Sequence, residues 1–212
     1  MYNWMCAADR NGAEHIVLYS DTCAAQNRNK IACTMIITFL SKSVNTVRVE
    51  QKYFETGHSQ MECDSIHSAI ENKFRKRDVH LPSQYEQLIK EARPKNPYRI
   101  VNLDRSIIFD WGVVSASFRA NAFNGIITKH LIEYTRAENR IVNVAFADEI
   151  DGVLQPISYK KRGRMVDIST IDIPIAYSEA IGVDKNKKED LLKLCKFMPP
   201  DCKYFYEQLK IK

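Results

Sequence analysis

The sequence predicts an α/β protein in which a mixed sheet is flanked by helices, and three observations carry that expectation. A short β-branched run, HIVLYS over 15–20, ends on Asp21. Helical periodicity follows, with Ile31, Met35 and Phe39 on one stripe and Ala32, Ile36 and Leu40 beside it. Alternation then returns over TVRVEQKYF (46–54), where Val47, Val49 and Tyr53 oppose Arg48, Glu50 and Lys52. An acid at the end of the first strand of such a unit lies on the sheet edge where ligands collect.

Taken in order, MYNWMCAADRNG has no periodicity, so a sheet entered at His15 is expected to lack earlier strands. Asp21 or Thr22 is the expected cap of the first helix, and Gln26 to Lys30 its polar start. Ser41 to Asn45 ends that helix. Gly57 breaks the second strand, and Asp64 is the expected N-cap of a helix whose apolar stripe is Ile66, Ile70 and Phe74. LPSQYEQLIKEA (81–92) reads as a short helix stopped by Arg93-Pro94. Segments around 98–110, 126–134, 141–147 and 153–159 carry enough Ile, Val, Phe and Tyr to be strands, and antiparallel ones. The basic loop YKKRGR (159–164) follows. Beyond Gly182 comes a helix through Leu191, Leu192, Leu194 and Cys195, a Pro-Pro stop and a last short helix. Residues 1–92 are therefore expected to form a core lacking its first strands, and 93–212 an α+β extension.

Composition narrows the class. A chain of 212 residues buries a sizeable core. No apolar run approaches the roughly 20 residues that span a bilayer, so no membrane partner is expected. The opening residues lack a basic segment followed by an apolar one, which predicts a nuclear or cytoplasmic rather than secreted protein. The six cysteines (Cys6, Cys23, Cys33, Cys63, Cys195 and Cys202) include no C-x-x-C pair and read as reduced thiols. The net charge of +5 permits an anionic partner without requiring one.

The chemistry rests on carboxylates. An aspartate at the end of a buried strand needs a cation, donors or a metal. A second carboxylate beside it raises one pKa unless a divalent ion lies between them. Oxygen-rich sites of that kind suit Mg²⁺ or Mn²⁺, and paired ions drive in-line displacement at phosphorus. Asp21 is the first candidate ligand. Asp64 and Glu71, seven residues apart on one helical face, are the others, with Asp64 ranked higher because it lies beside the loop. Shared ions about 3.5–4 Å apart place the Asp21 and Asp64 carboxylates on the order of 4–8 Å from each other. His58 is positioned to orient a water or hold a phosphate oxygen. Simple helix capping competes for both aspartates, and solvation for Glu71. A zinc site from His58, Cys63, His67 and Cys23 is a weaker alternative that lacks a well-spaced companion cluster. Gln26, Asn27, Asn29 and Lys30, with Lys160, Lys161, Arg162 and Arg164, are the candidate nucleic-acid contacts. Their affinity is expected to be salt-sensitive and blind to sequence. Arg75-Lys76-Arg77 reads as a solvated face.

The pair LYSDTCAAQNRNK and GHSQMECDSIHSAIE resembles a family of transposon-derived animal proteins with an RNase H-like, DDE-transposase-type domain. The shared pattern is S-D-x-C/G-x-x-Q-N-x-N followed by G-H-S/T-x-x-x-x-D. The later DLLKLCKFMPPDCKYFYEQL is similar to the end of the same proteins. What the resemblance implies is a partial RNase H-like fold of metal-dependent polynucleotidyl transferase ancestry, with DNA as partner. Asp21 then maps to the acid of the fourth strand, and Asp64 or Glu71 to the third acid. The first acid, expected on the opening strand of a β-meander, has no counterpart, and Asp9 lies on no recognisable strand. Two function classes follow: a domain for phosphodiester cleavage or strand transfer, incomplete in this chain, or an inactive domesticated module that binds nucleic acid or protein. A zinc-stabilised interaction module is a third.

Overall fold

In the computed structural model, which describes residues 1–55, 61–75, 77–161 and 167–212, β1 (His15–Ser20) and β2 (Arg48–Tyr53) pair in parallel. The register runs from His15 opposite Arg48 to Ser20 opposite Tyr53. Parallel pairing needs a crossover, and α2 (Lys30–Lys42) supplies it. The sheet then grows antiparallel through β3 (Leu131–Arg136), β4 (Val142–Ala147) and β5 (Gln155–Ile157), in the order β1-β2-β3-β4-β5. It is a mixed five-stranded sheet with helices beside it, an α/β architecture.

Alternation sorts the strands into two faces. Ile16, Val49, Tyr53, Ile132, Tyr134, Val142, Val144 and Phe146 point to one face and are buried with α2. That helix is more than a one-sided stripe, because every residue from Ala32 to Ser41 is buried. The far side of α2 is covered by α1 (Tyr2–Arg10), by α5 (Trp111–Ser115) and by the turn Ile168–Thr170. Its buried hydroxyls bond back to the preceding turn: Thr34 to the Lys30 carbonyl, Thr38 to that of Thr34, and Ser41 to that of Thr38. The sheet's other face carries His15, Arg48, Glu50, Lys52 and Glu133. There Arg48 reaches Glu50 at 3.0 Å and Glu133 at 2.5 Å, so the facing acids Glu50 and Glu133 share a cation.

The chain forms two compact units, Met1–Ser59 with Ser106–Ala176, and Gln60–Arg105 with Tyr177–Lys212. The first holds the sheet, which draws strands from both sides of the boundary expected between residues 92 and 93. The second is helical. In it α3 (Glu62–Phe74) and α4 (Pro82–Glu91) meet through Phe74 and Tyr85, with ring centroids 4.9 Å apart. Glu91 accepts Arg77 at 3.2 Å and Lys73 at 3.6 Å. The unit also contains α6 (Lys185–Leu194) and α7 (Pro200–Glu207), with the Tyr206 hydroxyl donating to the His80 carbonyl.

Several local expectations are corrected. Residues 2–10 are helical, since Tyr2 finds an aromatic seat against Phe109 and Trp111 that no local periodicity announces. Residues 98–110 form no strand. They contain a 3-10 turn, Arg105–Ile107, and an isolated bridge from Phe109 to Ile175. Residues Ile126–Thr128 are likewise a 3-10 turn, so β3 begins at Leu131. The segments at 141–147 and 153–159 do supply strands.

The join between α2 and β2 depends on Asp9. Its carboxylate accepts the backbone N–H groups of Val44 (3.1 Å), Asn45 (2.9 Å) and Thr46 (2.7 Å). Burial pushes this carboxyl up, but the three donors outweigh it and hold the pKa below the usual aspartate value.

Candidate functional site

Asp21 follows the last residue of β1, at the C-terminal edge of the parallel pair. It does not cap α2. Asn29 does, its side chain accepting the Ala32 N–H at 3.0 Å, because the chain stays irregular from Asp21 to Asn29. Asp21 instead organises the loop. Its Oδ1 accepts the Asn27 side-chain amide at 2.9 Å and the Cys23 N–H at 3.4 Å. Its Oδ2 makes no hydrogen bond among the described residues. Gln26, Asn27 and Asn29 thus belong to the loop before α2, and Lys30 alone opens the helix. The asparagines of the segment divide two tasks, one orienting the acid and one starting the helix.

Beneath this loop lies a buried polar layer built from the strand ends. The Asn27 carbonyl accepts the Tyr53 hydroxyl at 2.9 Å and the Gln51 amide at 3.4 Å. Gln51 in turn accepts the Tyr134 hydroxyl at 2.6 Å. Burial pushes the Cys33 thiol up to about 12, and pushes the Tyr53 and Tyr134 phenols above their ordinary value, so all three stay protonated. Among these neutral groups stands one cation. Arg28 is only 4 % exposed, donates to the Lys129 carbonyl and stacks over the Tyr53 ring at 4.9 Å. It meets no carboxylate among the described residues. Its Nε and the neighbouring Asn27 Oδ1 are buried without hydrogen-bond partners. Burial lowers the guanidinium pKa, the sign of a charge held at a cost.

Among the described residues this edge also carries Lys30, Lys52 near the end of β2, 3.8 Å from Glu50, and Lys129, paired with Asp148 at 2.6 Å. Lys160 and Lys161 lie at the opposite end of the sheet. They follow β5, where the Tyr159 hydroxyl donates to the carbonyl of Val142, the first residue of β4. The two predicted sets of nucleic-acid contacts are therefore not brought together. His58, Arg162 and Arg164 lie outside the described residues.

Asp64 and Glu71 belong to the helical unit, not to the sheet unit that holds Asp21. Asp64 is the third residue of α3 rather than its N-cap, which is Met61. Its Oδ2 accepts the Met61 N–H at 2.8 Å, the reach-back half of a capping box. The Glu71 carbonyl closes the last turn with the Arg75 N–H, and no contact engages the Glu71 carboxylate among the described residues. No group of three or more His, Cys, Asp and Glu gathers among the described residues. No helix of the described residues is long and apolar enough to cross a membrane.

Arg28 is the residue that sequence reading passed over, and Asp9 is one it considered only as an acid outside any strand. Arg28 stood in plain view inside the polar run, but a guanidinium turned inward has no periodic signature. Asp9 had no signal, because its partners are thirty-five or more residues away. A family model described as a domain of unknown function (DUF7869) matches residues 5–148, about two thirds of the chain. It runs from within α1 through the strand-end loop and the sheet as far as β4. No curated protein and no solved structure matches the chain.

Proposed function

This chain belongs to the DUF7869 family, and we propose that it is a transposase-derived, RNase H-like domain that binds nucleic-acid backbone at the C-terminal edge of β1 and β2, holding the phosphodiester without cutting it. One observation carries this reading: the buried Arg28 cation, without a counter-acid among the described residues, beneath the loop that leads into α2. An uncompensated buried charge is expensive, and an anion brought to the edge relieves it. The N-terminus of the thirteen-residue α2, with Lys30 in its first turn, adds positive potential on the same side. Asp21 serves in this reading as the brace of the loop. DNA is the expected form of the ligand, and the nucleus or cytoplasm its location.

The test is duplex binding followed by fluorescence anisotropy across a salt series. Lys30→Ala is expected to weaken binding to all sequences alike and to reduce the log–log salt slope by about 1. Asp21→Asn, which keeps an acceptor oxygen for Asn27 and Cys23, is expected to leave affinity within about twofold, the span of a minor contact. An unchanged slope in the lysine variant places the backbone elsewhere and overturns the assignment.

A second reading keeps metal-dependent cleavage by Mg²⁺ or Mn²⁺, favoured by the open Oδ2 of Asp21 at a strand terminus. Nicking of supercoiled DNA that requires either ion and disappears in Asp21→Asn establishes it in place of holding alone.

A further inference from the structure

We propose, taking the C-terminal edge of β1 and β2 as the seat of nucleic-acid backbone, that His130 is a proton-gated phosphate contact of that edge, inert as a neutral ring and binding as an imidazolium. His130 stands one residue before β3 and is fastened to the end of β2. Its carbonyl accepts the Tyr53 N–H at 2.9 Å, and its Nδ1 lies 3.0 Å from the Tyr53 carbonyl. A carbonyl only accepts, so Nδ1 carries the proton and donates. In the neutral ring Nε2 is then a bare lone pair. That nitrogen has no hydrogen-bond partner among the described residues, and it is not sealed from solvent.

The ring is tied to the Arg28 site from two directions. Arg28 donates to the carbonyl of Lys129, the preceding residue, and stacks over Tyr53, whose backbone carbonyl His130 holds. The charged groups on the elements that meet here are Asp21 and Arg28 on the loop, Lys52 and Glu55 at the end of β2, Lys129 ahead of β3, and Asp148 and Glu149 beyond β4. Burial keeps the Tyr53 phenol and the Cys33 thiol neutral. Asp148 is taken by Lys129 at 2.6 Å and Oδ1 of Asp21 by Asn27 at 2.9 Å, and no carboxylate pairs with the His130 ring among the described residues. Neutral, the ring presents a lone pair, which repels a phosphate oxygen. Protonated, it offers Nε2–H and a full charge, the makings of a charge-assisted bond. The anion favours the charged ring, so proton uptake and backbone binding promote each other.

The test is anisotropy with a labelled DNA duplex at about pH 8 and about pH 5.5, either side of the range in which histidine changes charge. The wild-type chain is expected to bind about tenfold tighter at the acid pH near 0.1 M salt, with a log–log salt slope steeper by about 1. His130→Asn keeps an N–H donor for the Tyr53 carbonyl and removes Nε2. It is expected to match wild type within about twofold at the alkaline pH, and to lose both the gain in affinity and the added slope at the acid one. The other histidines titrate alike in both chains, so the difference between the two profiles reads position 130. Calorimetry of wild-type binding in two buffers of different ionisation heat needs no variant, and is expected to show net proton uptake near neutrality. Salt-sensitive binding with the same pH profile in both chains, or without proton uptake, overturns the role of His130 and leaves the edge reading standing. Absence of salt-sensitive binding at either pH overturns both.

Discussion

Arg28→Met is expected to leave the melting temperature unchanged or raise it, while lowering duplex affinity about tenfold near 0.1 M salt, the weight of one neutralised phosphate. The two halves of that outcome have one cause. Arg28 is 4 % exposed, and among the described residues its hydrogen-bond and ring partners are the Lys129 carbonyl and the face of Tyr53. Each is worth about 1 kcal/mol in a protein. Against them stands the desolvation of a full charge with no carboxylate beside it among the described residues, which costs several kcal/mol. Methionine fills a similar volume and carries no charge, so the fold loses little or gains. A loss of several degrees with unchanged affinity marks Arg28 as a packing residue and removes the support for the binding edge. Differential scanning fluorimetry and anisotropy on the same preparation decide between them.

Asp9→Ala is expected to destabilise the sheet unit by about 3 kcal/mol, because three amide N–H groups lose a charged acceptor in a site that water fills poorly. For a unit of this size the melting temperature falls by about 6–12 °C. The effect depends on pH in a definite direction. The carboxyl of Asp9 titrates below its unfolded value, so its contribution is complete above the ordinary aspartate pKa and disappears as pH falls through the lower folded one. Wild type and variant are therefore expected to differ most near neutrality and to converge in acid. Urea unfolding at pH 7 and near pH 2.5 measures both values. A constant difference across that range shows that Asp9 acts through packing rather than charge.

Periodicity made part of this molecule legible. α2 and β2 follow from helical and alternating spacing that burial imposes directly, and β1 and β4 from short runs rich in β-branched and aromatic residues. The antiparallel continuation of the sheet was likewise anticipated at 141–147 and 153–159. The failures have a common origin. α1 is held by Tyr2 against Phe109 and Trp111, more than one hundred residues on, and no local pattern encodes that contact. The 98–110 segment has strand composition but, among the described residues, meets a single bridge, at Phe109. β-propensity is realised only where a partner edge is offered.

The candidate site was legible to a similar degree. Asp21 was found because a strand end is a readable feature, and Asn27 and Asn29 because they stand in a polar run. Their tasks were not readable. The N-cap moved from Asp21 to Asn29 because the loop between them stays irregular, and Asp64 sits two residues inside α3, where it reaches back to Met61. Arg28 shows the limit most clearly. Its sequence context is that of a solvated cation, and only the ends of β2 and β3 closing over it make it a buried one.

The edge above Arg28 is proposed to hold a polyanion. Its most direct measurement is the affinity of the wild-type chain for a labelled DNA duplex between about 50 and 300 mM salt, with Arg28→Met measured in parallel. The wild-type affinity is expected to fall steeply and linearly on logarithmic axes, and the variant line to be both lower and shallower. Two superimposable lines, or no binding at the lowest salt, contradict it.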